Sequence, residues 1–243
     1  MKEKGSLVNV GLGMTLGSHI TPLSRSYIEK ADVVFVAASN NIVEQWVEGM
    51  NENVRSMQQY YQEGLPRIKT YQKMVEVMMT EVRAGKKVCG AFYGHPGVFA
   101  WAPHESIRQA KSEGFKAHME PGVSAEDCLY ADLGIDPGTY GCTHFEASQF
   151  IRKNKSFDSS AYLILWQIGI LGSKYSNKFS TTKEFIQELV DLLLKTYLVD
   201  FEVTLYECAV LPIEQTYIRT VKLGELADSD TSLKTTLIIP PIP

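Results

Sequence analysis

A tight loop at the end of an apolar run is the stretch of this 243-residue chain best suited to contact a ligand. The run VCGAFYGHPGVFAW places Tyr93, Gly94, His95 and Gly97 directly after a predicted buried strand. Ligands of open α/β sheets bind outside the carboxyl ends of the strands, and glycine lets the backbone approach a ligand because it lacks a Cβ atom. The polar tips of Tyr93 and His95 would face the bound molecule. On this stretch alone, an ordinary strand-to-loop turn is the simpler interpretation.

Arg67 and Tyr71 form a second candidate pair, because residues four apart share one face of a helix. Apolar residues at helical spacing predict that this helix buries one face: Tyr71, Met74, Val75, Met78 and Val82. Arg67 would lie in the first helical turn, where the helix dipole disfavours a cation. A departure from a local rule indicates function only weakly. A solvated arginine beside a core tyrosine is therefore the simpler interpretation of these residues alone.

Two further turns could present backbone amides to a ligand. A strand-like run at the N-terminus leads into a loop with Gly11 and Gly13, but the third glycine falls one residue late, at Gly17. No acidic residue ends the second predicted strand either, which argues against a nicotinamide dinucleotide. Ser124 and Asp127 have the spacing of a capping box. That helix start is either a ligand site or simply a well-capped helix.

Composition and charge narrow the class of protein. The chain is 44% hydrophobic and 21% charged, as globular proteins are, and its net charge of −4 without a dense basic run argues against nucleic-acid binding. Four widely spaced cysteines, with no CxxC or HExxH motif, predict buried thiols in a reducing compartment and no metal site. We find neither a signal peptide nor an apolar run of membrane-span length, so we expect a cytoplasmic protein that does not bind membranes.

The order of the predicted elements indicates two α/β domains, residues 1–120 and 121–243. Residues 161–167 are apolar on both faces, as in a central strand. Thr181 or Thr182 is expected to cap a helix. The apolar face of that helix is predicted to contain Phe185, Leu189, Leu192 and Leu193. Further strands are predicted at residues 6–10, 33–37, 115–119, 201–206, 217–221 and 235–239.

Three glycine motifs, in this order, resemble the tetrapyrrole methylase superfamily: Val10-Gly11-Leu12-Gly13, Tyr93-Gly94-His95-Pro96-Gly97-Val98-Phe99 and Pro121-Gly122-Val123-Ser124-Ala125. The resemblance implies an S-adenosylmethionine-dependent methyltransferase of two α/β domains, with the cofactor in the cleft between them and S-adenosylhomocysteine as the product. Typical members have G-x-D-P where this chain has Gly94-His95-Pro96. That departure argues against a tetrapyrrole substrate.

Within the superfamily, the segment from Tyr61 to Glu76 is similar to the borosin peptide methyltransferases, which methylate backbone amide nitrogens. The resemblance implies that Arg67, Tyr71 and Tyr93 serve the chemistry and that Tyr61 lines the site. A tyrosine of that family is replaced here by Gln58. The resemblance also implies these cofactor contacts: Tyr93, His95, Val98, Phe99, Ser124, Ala125, Gln167, Tyr206, Ala209 and Thr236.

The implied reaction must activate a poor nucleophile, since the lone pair of an amide nitrogen is delocalised into the carbonyl. The nitrogen must lose its proton while negative charge moves onto the carbonyl oxygen. On the implied roles, Tyr71 abstracts the proton, with its pKa lowered by the positive charge of Arg67. Tyr93 and Tyr61 then donate hydrogen bonds to the imidate oxygen. No metal is expected.

The resemblance also implies partners. Because the chain stops at Pro243, directly after its last predicted strand, it resembles the split bacterial form, which binds and methylates a separate precursor peptide in trans. We expect a homodimer, and a heterotetramer with two precursors. One alternative is a methyltransferase of the same superfamily that acts on a tetrapyrrole or on diphthine. The other is a non-catalytic binding module.

Overall fold

The computed structural model describes residues 4–62, 64–172 and 180–242 of the chain. The chain divides into two compact units, each built around one five-stranded sheet. The first unit comprises Met1–Cys128 with Val210–Glu214, and the second comprises Leu129–Ala209 with Gln215–Pro243. The predicted α/β class is confirmed in both units.

The first unit alternates strands and helices along the chain. Its elements are β1 (Ser6–Gly11), α1 (Pro22–Lys30), β2 (Val33–Ala37), α2 (Asn41–Glu48), β3 (Val54–Ser56), α3 (Arg67–Arg83), β4 (Lys87–Phe92), α4 (Trp101–Ser112) and β5 (Lys116–Met119). All strand pairs are parallel, in the order β3-β2-β4-β1-β5. The carboxyl ends of β1, β2 and β4 therefore meet at one edge of the sheet, as the sequence predicted for the candidate loop.

Strand β4 lies between β1 and β2 and is buried on both faces, because one hydrophobic cluster includes Val88 and Phe92 and a second includes Cys89 and Ala91. One face packs on α3, whose buried residues include Met74, Val75, Met78 and Val82, as predicted. Tyr71 lies at the margin of that cluster and is only partly buried. Helix α3 ends at Arg83 with Ala84 as its C-cap residue, and Gly85 follows with a φ of 93°, a conformation that favours glycine.

The second unit carries a mixed sheet in the order β6-β7-β10-β8-β9. Its elements are α6 (Pro137–Tyr140), β6 (Cys142–Glu146), α7 (Ala147–Arg152), β7 (Tyr162–Trp166), α8 (Lys183–Leu193), β8 (Glu202–Glu207), β9 (Tyr217–Lys222) and β10 (Thr236–Ile239). Only the β6–β7 pair is parallel among the paired strands of this sheet. Thr182 is the N-cap residue of α8, as predicted, but Phe185 is 40% exposed and does not belong to the buried face.

The division between the units differs from the predicted boundary at residue 120. Helix α5 (Ala125–Leu133) begins before the division at Cys128 and ends after it. The short segment 210–214 returns to the first unit, because Val210 packs in a hydrophobic cluster of β1, β2 and β4 and its carbonyl accepts a hydrogen bond from the Leu16 amide (2.9 Å). Neither contact has a signal in local sequence.

None of the helices in the described part of the chain has the length and hydropathy to cross a membrane.

Candidate functional site

Three glycine loops meet backbone to backbone in the first unit. Gly13 and Gly94 exchange two backbone hydrogen bonds, from the Gly13 amide to the Gly94 carbonyl (3.2 Å) and from the Gly94 amide to the Gly13 carbonyl (2.8 Å). A Cβ atom on Gly11 would lie 2.5 Å from the Gly94 oxygen and 2.7 Å from the Gly122 Cα. Such contacts leave room for no side chain. The loops after β1, β4 and β5, which carry the three sequence motifs, therefore form one packed cluster.

His95 is held in one orientation and one tautomer. Its Nδ1 accepts a hydrogen bond from the Gly97 amide (2.8 Å), so a neutral imidazole carries its proton on Nε2. The Gly97 carbonyl bonds in turn to His104 Nε2 on α4 (2.9 Å). The 93–97 loop therefore presents an N–H donor of His95. The role of His104 in fixing this loop had no signal in the sequence.

Val98 and Phe99 follow the same loop. The Val98 amide donates to the His95 carbonyl (3.2 Å), and Phe99 has a φ of 49°. A left-handed φ is uncommon for an aromatic residue, and it persists only where the surroundings hold it. The Phe99 side chain is 54% exposed. The loop thus offers an accessible aromatic surface beside the His95 donor.

The predicted capping box at Ser124 is present. Asp127 Oδ2 accepts hydrogen bonds from the Ser124 amide (2.6 Å) and from Ser124 Oγ (2.7 Å), and Ser124 Oγ accepts from the Asp127 amide (3.3 Å). Ala125 is the first residue of α5. Because the hydroxyl proton of Ser124 is directed to Asp127, a ligand contact through this side chain would use the lone pairs of Oγ.

Tyr61, Arg67, Tyr71 and Tyr93 are brought together at the carboxyl edge of the first sheet. Arg67 begins α3, as predicted, and Tyr93 directly follows β4. Tyr61 interacts electrostatically with each of the other three, Tyr71 interacts with Arg67, and Tyr93 interacts with Tyr71. The four side chains therefore form one interacting group, which we call the tyrosine–arginine cluster.

The pKa of Tyr71 moves in the direction opposite to the one predicted. Burial raises this pKa, and the positive charge of Arg67 only partly opposes the rise. The sequence indicated the arginine neighbour but not the burial of the phenol, which depends on elements distant in the chain. A phenol with the ordinary pKa of about 10 already requires about 4 kcal/mol to ionise at pH 7. In this structure Tyr71 is therefore a protonated phenol at neutral pH.

The pKa values of Tyr61 and Tyr93 are raised as well. Burial is the main cause for both, and each is raised further by Tyr71. Tyr93 exposes half of its surface (50%), yet desolvation still dominates at its hydroxyl, so the ring and the phenolic oxygen experience different surroundings. Within the cluster, Arg67 opposes the shift of Tyr61 and Tyr71, and no other phenol raises Tyr71. The cation of Arg67 thus favours the ionised form of both Tyr61 and Tyr71.

Gln58, which stands where a tyrosine was expected, has a structural contact. Its Nε2 donates to the Ala38 carbonyl (2.9 Å) in the loop after β2. Gln58 therefore ties its own segment to the carboxyl edge of the sheet.

Four predicted contact residues lie in the second unit. Tyr206 on β8 and Thr236 on β10 are paired across the strands, and both are buried. Gln167 follows β7 with a φ of 62°, and Ala209 lies two residues beyond β8. Tyr206 donates its hydroxyl to Asp132 Oδ2 (2.8 Å), a partner that the sequence analysis missed. The hydroxyl of Tyr206 is thereby held within its own unit.

No group of three or more histidine, cysteine, aspartate or glutamate side chains suited to a metal ion occurs in residues 4–62, 64–172 and 180–242.

Comparison with known proteins identifies similar sequences and folds. A profile of the family described as "Tetrapyrrole (Corrin/Porphyrin) Methylases" matches residues 6–227. A methyltransferase and precursor of ribosomally synthesized cyclic gymnopeptides from Gymnopus fusipes is 42% identical over 246 residues, covering 99% of this chain and 58% of that protein. A methyltransferase and type I borosin cyclic peptide precursor from Coprinopsis marcescibilis is 39% identical over 246 residues, covering 98% and 63%. The chain thus spans about three fifths of the length of these curated relatives.

Two solved structures share the fold. Cobalt precorrin-4 methyltransferase aligns with a TM-score of 0.67 at 17% identity, over 97% of this chain and 94% of that one. Uroporphyrin-III-C-methyltransferase from Thermus thermophilus aligns with a TM-score of 0.67 at 15% identity, over 98% and 92%. At this identity the likeness extends to the fold alone.

Proposed function

We propose that this chain is a peptide backbone N-methyltransferase. The chain belongs to the tetrapyrrole methylase family, whose methyl donor is S-adenosylmethionine. Its substrate would be the amide nitrogens of a ribosomally made precursor peptide. The tyrosine–arginine cluster is the observation that carries the proposal, because an amide requires both a base and hydrogen-bond donors. The relatives named as methyltransferases with cyclic-peptide precursors support the same substrate class.

The predicted cofactor contacts have a chemistry that fits S-adenosylmethionine, which carries a flat adenine, a ribose diol and an amino-acid tail. The 93–99 loop offers the N–H of His95 and the exposed ring of Phe99. Ser124 and Thr236 add hydroxyl groups. When bound, the cofactor supplies an electrophilic methyl group on a sulfonium. These side chains would bind and orient it.

The raised pKa values support different roles for the three phenols, two as hydrogen-bond donors and one as a base. Tyr61 and Tyr93 stay protonated, because burial and a neighbouring Tyr71 phenolate both oppose their ionisation. Protonated phenols donate hydrogen bonds to the amide oxygen as negative charge develops there. Tyr71 is a protonated phenol at rest, so it must first release its own proton to solvent, a step that the positive charge of Arg67 favours. The phenolate formed in this way accepts the amide proton. Arg67 stabilises the phenolate that removes that proton.

The source of the precursor peptide is a separate point from the reaction. The named relatives combine a methyltransferase and a precursor in one protein, so they give no support to the split bacterial form predicted from the sequence. A precursor bound in trans, like the homodimer and the heterotetramer, remains a prediction. The reaction proposed for the cluster is the same whether the peptide is a separate chain or part of the same polypeptide.

Mass spectrometry of a co-produced peptide tests the proposal. The small protein encoded beside this chain would be produced together with it, and both would be analysed by intact mass and tandem fragmentation. We expect successive one-methyl increments on backbone nitrogens of that peptide. Increments on the methyltransferase polypeptide itself would instead support supply in cis.

Two variants give the test its control. Tyr71→Phe should remove the increments while S-adenosylhomocysteine still binds, as measured by calorimetry. Tyr27→Phe is the matched control, because Tyr27 is a partly buried helical tyrosine that contacts His118 and lies outside the cluster. If the wild-type chain binds the cofactor but leaves the peptide unmodified, a tetrapyrrole or diphthine-type methyltransferase becomes the better explanation. If the wild-type chain does not bind the cofactor, a non-catalytic binding module becomes the better explanation.

A further inference from the structure

The carboxylate of Glu207 in the second unit links two segments with predicted cofactor contacts, and the turn that it holds contacts a third. Glu207 is the last residue of β8 and directly follows Tyr206. Thr235 directly precedes Thr236 at the start of β10, and Gln167 follows β7.

Glu207 locks the turn that precedes β10. Its Oε1 accepts a hydrogen bond from Thr235 Oγ1 (2.5 Å) and one from Ser232 Oγ (2.8 Å). Thr235 is fully buried, and its Oγ1 in turn accepts from the Ser232 amide (2.7 Å). The Lys234 amide donates to Ser232 Oγ (3.1 Å). Hydrogen bonds to a carboxylate are roughly twice as strong as neutral ones, so the two bonds to Glu207 contribute substantially to holding the 232–235 turn.

That turn in turn holds the backbone around Gln167. The Ile168 amide donates to the Thr235 carbonyl (3.1 Å). A Cβ atom on Gly169 would lie 1.8 Å from the Ser232 carbonyl oxygen, so the chain after Gln167 rests directly on the turn. Gln167 itself has a φ of 62°, a conformation that a non-glycine residue keeps only under constraint.

We propose that Glu207 is a positioning residue for cofactor binding. Through Thr235 and Ser232 its carboxylate keeps Gln167 in the left-handed conformation and Thr236 opposite Tyr206. Glu207 itself touches no reacting atom. The inference rests on the proposed function, because it gives Glu207 a purpose only where Gln167, Tyr206 and Thr236 contact the cofactor.

Calorimetric binding of S-adenosylhomocysteine to the full chain tests the proposal. Glu207→Ala removes both acceptor bonds, and we expect the affinity to fall by about tenfold or more. The KM for S-adenosylmethionine should rise by a similar factor, while kcat at saturating cofactor stays within about twofold because the tyrosine–arginine cluster is untouched. Glu207→Gln keeps a carbonyl oxygen that can accept the two hydroxyl bonds, and so it should restore most of the affinity.

A second pair of variants tests the other end of the same hydrogen bond. Thr235→Val, which is nearly isosteric, should weaken binding as Glu207→Ala does, and Thr235→Ser should retain binding. This pair applies even if Glu207→Ala fails to fold. Hydrogen exchange supplies a readout without cofactor: the Ile168 and Lys234 amides should exchange faster in Glu207→Ala and in Thr235→Val than in the wild type.

Glu202→Ala is the matched control, because Glu202 is an exposed glutamate at the opposite end of β8. Wild-type affinity in Glu207→Ala, or an equal loss in Glu202→Ala, would overturn the inference. Unchanged exchange at Ile168 would overturn it as well. If the wild-type chain itself binds no S-adenosylhomocysteine, the proposed function fails first. The exchange data then report separately whether Glu207 holds the turn.

Discussion

The meeting of three glycine loops predicts a severe effect for a single added methyl group, in Gly11→Ala. The new Cβ would lie 2.5 Å from the Gly94 carbonyl oxygen and 2.7 Å from the Gly122 Cα. An ordinary contact begins at 3.4 Å, so the Gly94 carbonyl alone would have to retreat by 0.9 Å. Both obstacles are backbone atoms, which cannot move aside as the end of a flexible side chain can. Gly11 has no positive φ, so the whole effect is steric.

The magnitude follows from the contacts that must yield. Overpacking a well-packed interior costs about 1–3 kcal/mol. Separating the loops also stretches the two Gly13–Gly94 hydrogen bonds, each worth about 0.5–1.5 kcal/mol. We therefore expect a loss of about 2–6 kcal/mol in the free energy of unfolding, which lowers Tm by roughly 4–24 °C for a chain of this size. Displacing the loops should also weaken S-adenosylhomocysteine binding by about tenfold or more.

Thermal unfolding and calorimetric titration of the same sample measure both effects. Gly49→Ala is the matched control, because Gly49 has a φ of −68° and its added Cβ would come no closer than 3.3 Å to the Trp46 carbonyl. The double variant with Gly122→Ala adds a thermodynamic cycle. Once the first methyl group has separated the loops, the second should cost less than it does alone. A Gly11→Ala protein with wild-type Tm and affinity would show that the loops do not meet as described.

Two further predictions concern tyrosines. Arg67→Ala and Tyr71→Phe should each reduce peptide methylation by about 10²–10⁴-fold in single-turnover mass spectrometry, with cofactor affinity largely intact, and wild-type rates in both would remove the cluster from the mechanism. Burial raises the pKa of Tyr197 to about 12, and its hydroxyl has no hydrogen-bond partner within the described residues. Between about pH 10, the ordinary pKa of a phenol, and about pH 12, the Tyr197 hydroxyl ionises in the unfolded chain but not in the folded one. The free energy of unfolding therefore falls as the pH rises through this range. Tyr197→Phe should therefore flatten the denaturant-measured stability curve there and stabilise the protein by about 1 kcal/mol at pH 7; an unchanged slope above pH 10 would contradict this.

Some features of the molecule could be read from the sequence because their causes are local. The apolar run before Tyr93 has the pattern of a buried strand, and β4 is one. The spacing of Ser124 and Asp127 encodes a capping box within four residues. Arg67 lies in the first turn of α3 because the periodic residues that follow it define the helix. In each case neighbours within one or two helical turns supply the determining contacts.

Other features depend on contacts between residues far apart in the chain, and no local pattern reports them. Burial of Tyr71 outweighs its arginine neighbour, so only the packed structure gives the direction of its pKa shift. The same holds for the contact of Gly11 with Gly94 and Gly122, and for the return of Val210 to the first unit. The bond from Thr235 to Glu207 spans 28 residues. The sequence by itself determined the α/β elements and the residues that could do chemistry. Tertiary packing alone decided their protonation states and which distant groups hold them, because desolvation and close backbone approach arise only when separate elements meet.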